Sequence, residues 1–251
     1  MSQSHDTQTQ KKETRQTKKR RQAKKNSRVA DWATIQQWGW DGPRLARELT
    51  LFRQQTMANL PPEFQPDPLD LEHILLRLPD TWRIISATPG QIDGFWHFVP
   101  LVLDDFERAA RGELHYGVVK PEMVVPLADP GEYDALFMSL SLRKQHRHLS
   151  MSMYLLTSWM EAMTQLAERG VFFANVCANL GTPFARKLNT ALTMGFRPIG
   201  DHQVAGKMYM SYVPDSLNLP QFRLSPAANV QRMRQLYSAH FGASAPLPET
   251  V

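Results

Sequence analysis

The chain has 251 residues, 42% hydrophobic and 10% aromatic, which is enough to bury one sizeable core and too many for a fibrous or globally disordered chain. A single cysteine, Cys177, excludes an intrachain disulfide framework and any zinc site built on several thiolates. The longest apolar stretches, such as Met151–Met160, fall short of the ~20 residues that span a bilayer, and no apolar core follows the basic N-terminus as a secretory signal requires.

These features predict a soluble protein of a reducing compartment, the cytoplasm. The net charge of +5 is unevenly placed: residues 1–28 hold ten Lys and Arg against Asp6 and Glu13, a net of +8, leaving 19 basic and 22 acidic residues, or −3, for the rest. In residues 1–28 only Met1 and Ala23 belong to the hydrophobic set, so nothing offsets the ordering entropy and a disordered basic tail is expected. Such an arm suits nucleic acid or another acidic surface through counterion release, or solubility alone, and no aromatic interleaves its lysines for base stacking.

Residues 29–80 read as an N-terminal helical extension. Helices are predicted over Asp31–Trp40 and Asp41–Asn59, the second with Asp41 as N-cap, Pro43 just inside and an apolar stripe of Leu45, Leu49, Phe52 and Met57. Pro61, Pro62, Pro66 and Pro68 break the chain before a short helix at Asp70–Leu78. Trp32, Trp38 and Trp40 are expected to anchor the extension on the body.

Residues 81–214 alternate strands and helices. Strands Trp82–Ala87 and Ile92–Val99 flank the turn Thr88-Pro89-Gly90-Gln91, a helix over Pro100–Arg111 stops at Gly112, and short strands are expected at Leu114–Val119 and Met123–Pro126. Strand Asp134–Leu142 leads through a basic turn to a helix over Ser150–Arg169, whose Leu155, Leu156, Trp159, Met163 and Leu166 recur at helical spacing up to Gly170. An apolar strand at Val171–Ala178, a helix over Thr182–Met194 and strands at Phe196–Ile199 and Lys207–Val213 follow; residues 215–251 hold a helix near Ala227–His240 and a loose tail.

A strand feeding a helix through a basic turn presents free backbone N–H groups and positive charge, a site for phosphate or pyrophosphate. Here the turn reads Leu142-Arg143-Lys144-Gln145-His146-Arg147-His148-Leu149-Ser150-Met151-Ser152, and further on stands Met194-Gly195-Phe196. On these residues and the element order, Trp82–Val213 resembles the GNAT family of acyl-CoA-dependent N-acyltransferases. The resemblance implies a mixed α/β fold with a mostly antiparallel central sheet flanked by helices, whose fourth and fifth strands splay apart. It implies an Arg/Gln-x-x-Gly-x-Gly/Ala turn that binds the pyrophosphate of acetyl-CoA or another acyl-CoA. Arg147-x-x-Ser150-x-Ser152 stands in that place with serine at both glycine positions, so Leu142, Arg147, His148, Ser150, Met151 and Ser152 become the expected cofactor-binding residues. Gly195-Phe196 matches the opening of the family's next strand, and Ala191 stands where many members carry a tyrosine acid.

The reaction so implied is acyl transfer, with acetyl the expected group, to an amine of a small molecule, protein or aminoacyl-tRNA, without a metal. Glu122 and Asn179 are the catalytic candidates, with Asp129 and Asp134 as further carboxylates, and Asn179 and Thr182 are expected to border the substrate. The alternative is a non-catalytic domain of the same fold that docks nucleic acid or a protein through its basic arm. His146 and His148 read as solvated turn residues, Cys177 as packing, and His97 and His115 as structural histidines.

Overall fold

A computed structural model describes residues 28–57, 61–147, 149–180, 186, 195–203, 206–218 and 227–242. The expected basic tail up to residue 27, His148, all of the predicted 182–194 helix except Arg186, and the C-terminal tail lie outside the described residues.

Strand β1 (Arg28–Ala30) is followed by helices α1 (Trp32–Gln37), α2 (Gly42–Thr56) and α3 (Pro68–Arg77). Strands β2 (Trp82–Ser86) and β3 (Gly94–Pro100), helix α4 (Leu103–Ala110), β4 (Gly131–Leu142), α5 (Leu149–Glu168) and β5 (Val171–Asn179) form the middle of the chain. It ends with β6 (Arg197–Asp201), β7 (Lys207–Tyr212), α6 (Val213–Asn218) and α7 (Ala227–Phe241). The strands make one seven-stranded sheet in the order β1-β2-β3-β4-β5-β7-β6, antiparallel throughout except between β4 and β5. This is the mixed, mostly antiparallel α/β class expected from the sequence.

Local chemistry accounts for the helix starts. Asp31 and Asp41 cap α1 and α2 by accepting from the Thr34 and Arg44 amides at 2.9 Å, which satisfies N–H groups that have no intrahelical acceptor. α3 begins earlier than predicted, because Asp67 is its N-cap and Pro68 its first residue; a proline at N1 lacks only an N–H that would be unpaired there. β1 joins the expected N-terminal extension to the sheet by pairing with β2, and three residues are too few to show a period in the sequence.

Each face of the sheet is covered. α5 and α7 lay Leu155, Leu156, Met163, Leu166, Met233 and Tyr237 on one face, over Ile85, Trp96, Phe98 and Phe173. α1, α2 and α3 cover the other face, with Ile35, Leu45, Leu49, Phe52, Leu71 and Leu75 on Trp82, Ile84 and Phe95. The two strands expected between residues 114 and 126 are absent. Those residues form 3₁₀ turns at Tyr116–Val118 and Pro121–Met123, and their one backbone β-bridge is Leu101–Val124. Their apolar side chains, Leu114, Val119 and Val124, pack over α4 and β3 as a covering loop, so burial and not pairing explains their composition. Gly195, with φ near +74°, sits where an added Cβ would collide with the Ser216 side chain, which accounts for the glycine before Phe196.

Candidate functional site

β4 and β5 part company at a definite residue. Their pairing ends at Phe137 and Ala178, while β4 runs on to Leu142 against β3 alone and β5 pairs through Asn179 with Met208 of β7. The cause lies in β4. Phe98 pairs with Phe137 and His97 with Ser139, so Met138 is an extra residue, a β-bulge that bends the strand. The result is a split at the carboxyl ends of two parallel strands, the position where α/β folds hold ligands. α5 begins just beyond it. This helix is 20 residues long with no acidic residue in its first turn, so the positive end of its dipole is uncompensated by its own side chains.

The turn before α5 is fastened from several sides. The Arg143 amide donates to Asp93 O at 2.9 Å, and its Nε donates to Ile92 O at 2.6 Å while its ring-facing side lies 5.6 Å over Phe52. Asp93, 1% exposed, also accepts from the Ala87 amide at 2.8 Å and from Gln91 Nε2 at 2.9 Å, with His146 Nε2 at 3.5 Å. Arg147 Nε donates to Leu142 O at 3.0 Å, and its Nη2 donates to Thr56 O at the end of α2. Lys144, between the two arginines, is exposed.

On the α2 side of the split lies a buried polar cluster that sequence reasoning missed. Arg53 comes from the last turn of α2 and is 2% exposed. Its Cζ stands 3.7 Å from the centroid of the Tyr116 ring, and its Nη2 makes one long hydrogen bond, 3.4 Å, to Phe64 O. Nε and Nη1 are buried with no partner. The Tyr116 hydroxyl is 3.0 Å from His97 Nδ1, and His97 Nε2 is buried without a partner. Among the described residues no carboxylate ion-pairs with Arg53.

The magnitudes do not balance. A desolvated cation–π contact contributes about 2 kcal/mol. An unpaired buried ion costs several kcal/mol, and each orphaned N–H adds roughly 1–3 kcal/mol. The same isolation shows in the neighbours: burial, then the Arg53 charge, pushes His97 down to about 3, and burial pushes Tyr116 up to about 12. His97 is therefore a neutral imidazole. The signal in the sequence is Arg53 falling four residues after Leu49, inside the buried stripe of α2.

Of the expected cofactor-binding residues, Leu142, Met151 and Ser152 turn their side chains inward, at 1%, 0% and 0% exposure, so only their backbone faces the turn. Arg147 is at the turn, with its guanidinium on two carbonyls. Ser150 lies in the first turn of α5, and His148 is outside the described residues. Asn179 is half-buried at the end of β5, beside the split, and Thr182 is outside the described residues. Glu122 is exposed on the connection that bridges back to Leu101, near the start of β4, so it and Asn179 are not brought together. Asp134 Oδ1 accepts from the Asn175 amide and side chain at 3.2 and 2.9 Å, again at the far end of the strands. Cys177 is buried, and burial pushes its thiol up to about 12. No helix among the described residues is long and apolar enough to cross a membrane.

No protein-family model and no curated protein matches the chain. Solved structures similar to it include an acetyltransferase of the GNAT family from Staphylococcus aureus Mu50, 13% identical over 74% of this chain and 99% of its own, with a TM-score of 0.48. The GphF GNAT-like decarboxylase in complex with isobutyryl-CoA is 14% identical over 74% of this chain and 98% of its own, TM-score 0.48. The loading GNATL domain of CurA from Lyngbya majuscula is 10% identical over 74% and 98%, TM-score 0.48.

Proposed function

We propose that the protein binds an acyl-CoA in the β4–β5 split and transfers the acyl group to an amine. The observation that carries this reading is the coincidence, at one point, of the Met138 bulge, the end of parallel pairing and the start of a 20-residue helix. A split exposes unpaired strand edge that can hold an amide-bearing arm, and a helix N-terminus receives a diphosphate. The amides of Leu149, Ser150, Met151 and Ser152 are the diphosphate donors, and Lys144 is the accessible cation.

Arg147 acts in this reading through the chain: by tying Leu142 O to Thr56 O it holds the turn in place for those amides. Serine at residues 150 and 152 is compatible with a helical first turn, where no positive φ is needed. A bound thioester supplies an activated carbonyl, and an N–H on the free edge of β4 polarises it. Asn179 borders the acceptor. Glu122, Asp129 and Asp134 lie toward the other end of β4, so water takes the amine proton; the new C–N bond replaces the thioester C–S bond, and coenzyme A leaves as a thiolate that solvent protonates.

Isothermal titration of acetyl-CoA tests the reading. Micromolar binding by the wild type, weakened by Lys144→Glu, is expected. No binding by the wild type overturns it and favours the docking reading.

A further inference from the structure

We infer that Arg53, Tyr116 and His97 form a receptor for the carboxylate of a small monocarboxylate acceptor. This deepens the acyl-transfer reading by naming the chemical class of its acceptor, and rests on that reading only for the acceptor role.

Three independent features meet here. Arg53 is a fully buried cation whose Nε and Nη1 have no acceptor and which ion-pairs with no described carboxylate. A protein that needed the arginine only as a brace would use these donors, as Arg147 does nearby. Its single charge is balanced by a monoanion, whereas a phosphate dianion would leave a buried negative charge. The surroundings are aromatic, with the Tyr116 ring beneath the guanidinium and Phe64 supplying the carbonyl, which suits a small organic acid better than a hydrated inorganic ion.

Position links the cluster to the split. His97 pairs with Ser139, the residue after the bulged Met138, and Ser139 Oγ lies 3.1 Å from Ser141 Oγ in the buried polar strip that continues along β4. Arg53 leaves the last turn of α2, whose Thr56 carbonyl receives Arg147 from the basic turn. A molecule with its carboxylate at Arg53 thus lies next to the stretch of β4 that β5 leaves unpaired. An arriving carboxylate accepts from Arg53 and supplies the missing charge.

The test uses the full chain without coenzyme A, in chloride-free buffer at fixed ionic strength, with acetate against acetamide and glycine against glycinamide. Calorimetry and thermal melting are expected to show saturable binding of acetate and glycine, with acetamide, which has no charge, and glycinamide, which has an ammonium but no carboxylate, about tenfold weaker or more. Arg53→Met is expected to abolish that preference and, by removing an unpaired buried charge, to raise the Tm of the ligand-free protein. Tyr116→Phe keeps the ring and is expected to weaken acetate severalfold. Equal binding of acid and amide, or a preference that survives Arg53→Met, overturns the proposal. So does a fall in the ligand-free Tm of Arg53→Met, which would make the arginine a structural brace. Failure of acetyl-CoA to bind, measured separately, would leave a carboxylate site standing and remove only its assignment to an acyl acceptor.

Discussion

Arg147 and Arg53 are joined through the end of α2 and use their guanidinium groups in opposite ways. Arg147 is largely in solvent yet donates to the Leu142 and Thr56 carbonyls, and Arg143 beside it donates to Ile92 O. Arg53 is out of solvent, where each donor matters most, and leaves two nitrogens without an acceptor. A surface cation can lose its contacts to water at little cost, whereas a buried one has no such substitute. The basic turn is therefore a fastened frame, and the α2 cluster is an incomplete set of interactions that a ligand can finish.

The frame is most sharply broken at its hub. Asp93→Ala removes the buried acceptor of Ala87 and Gln91 and the carboxylate facing Arg143 and His146, and is expected to cost about 3–5 kcal/mol in urea denaturation. The cluster is probed next through acid. His97, with a folded value near 3 against an ordinary 6.5, stays unprotonated in the fold while the unfolded chain takes up a proton below about pH 6.5. Its contribution is present above that pH and is lost as pH falls toward 3, at up to ~1.4 kcal/mol per pH unit. A His97→Gln variant should lose stability less steeply between pH 6.5 and 4.5, and an unchanged slope would show that His97 is protonated in the fold.

Arg147→Ala should cost about 1–2 kcal/mol of stability, because two carbonyls lose a charged donor, and should weaken acetyl-CoA by loosening the turn. Lys144→Glu separates binding from bracing: stability should stay within about 0.5 kcal/mol while acetyl-CoA affinity falls by roughly tenfold, read by calorimetry. The smallest effect is expected from deleting residues 1–27, which should change acetyl-CoA affinity by less than about twofold if the diphosphate is held at the turn.

Much of the fold was legible where a local rule acted alone. α5 followed from apolar residues at three- and four-residue spacing ending at Gly170, and β5 from an apolar run, interrupted by Asn175 alone between Val171 and Ala178, suited to a strand covered on both faces. The cap Asp41 marked its helix by residue type, whereas Asp31, expected inside the first helix, caps it. Residues 114–126 were misread because an apolar run reports burial and not the partner that buries it. The candidate site was legible in part: the basic turn stood out by charge, but the motif could not show that Arg147 would find carbonyls from two other segments, or that Glu122 would fall near the wrong end of β4.

The helix periods and the division of charge between the N-terminal arm and the rest of the chain follow from sequence alone. The bulge of β4 at Met138, the gathering of the turn on Asp93 and the burial of Arg53 beside Tyr116 and His97 arise when distant segments pack together. Periods and caps depend on residues within a turn or two of one another. Whether a charge has a partner depends on segments that meet only when the sheet assembles: Arg53 is separated from Tyr116 by a helix, two strands and a further helix, and no local pattern carries that distance.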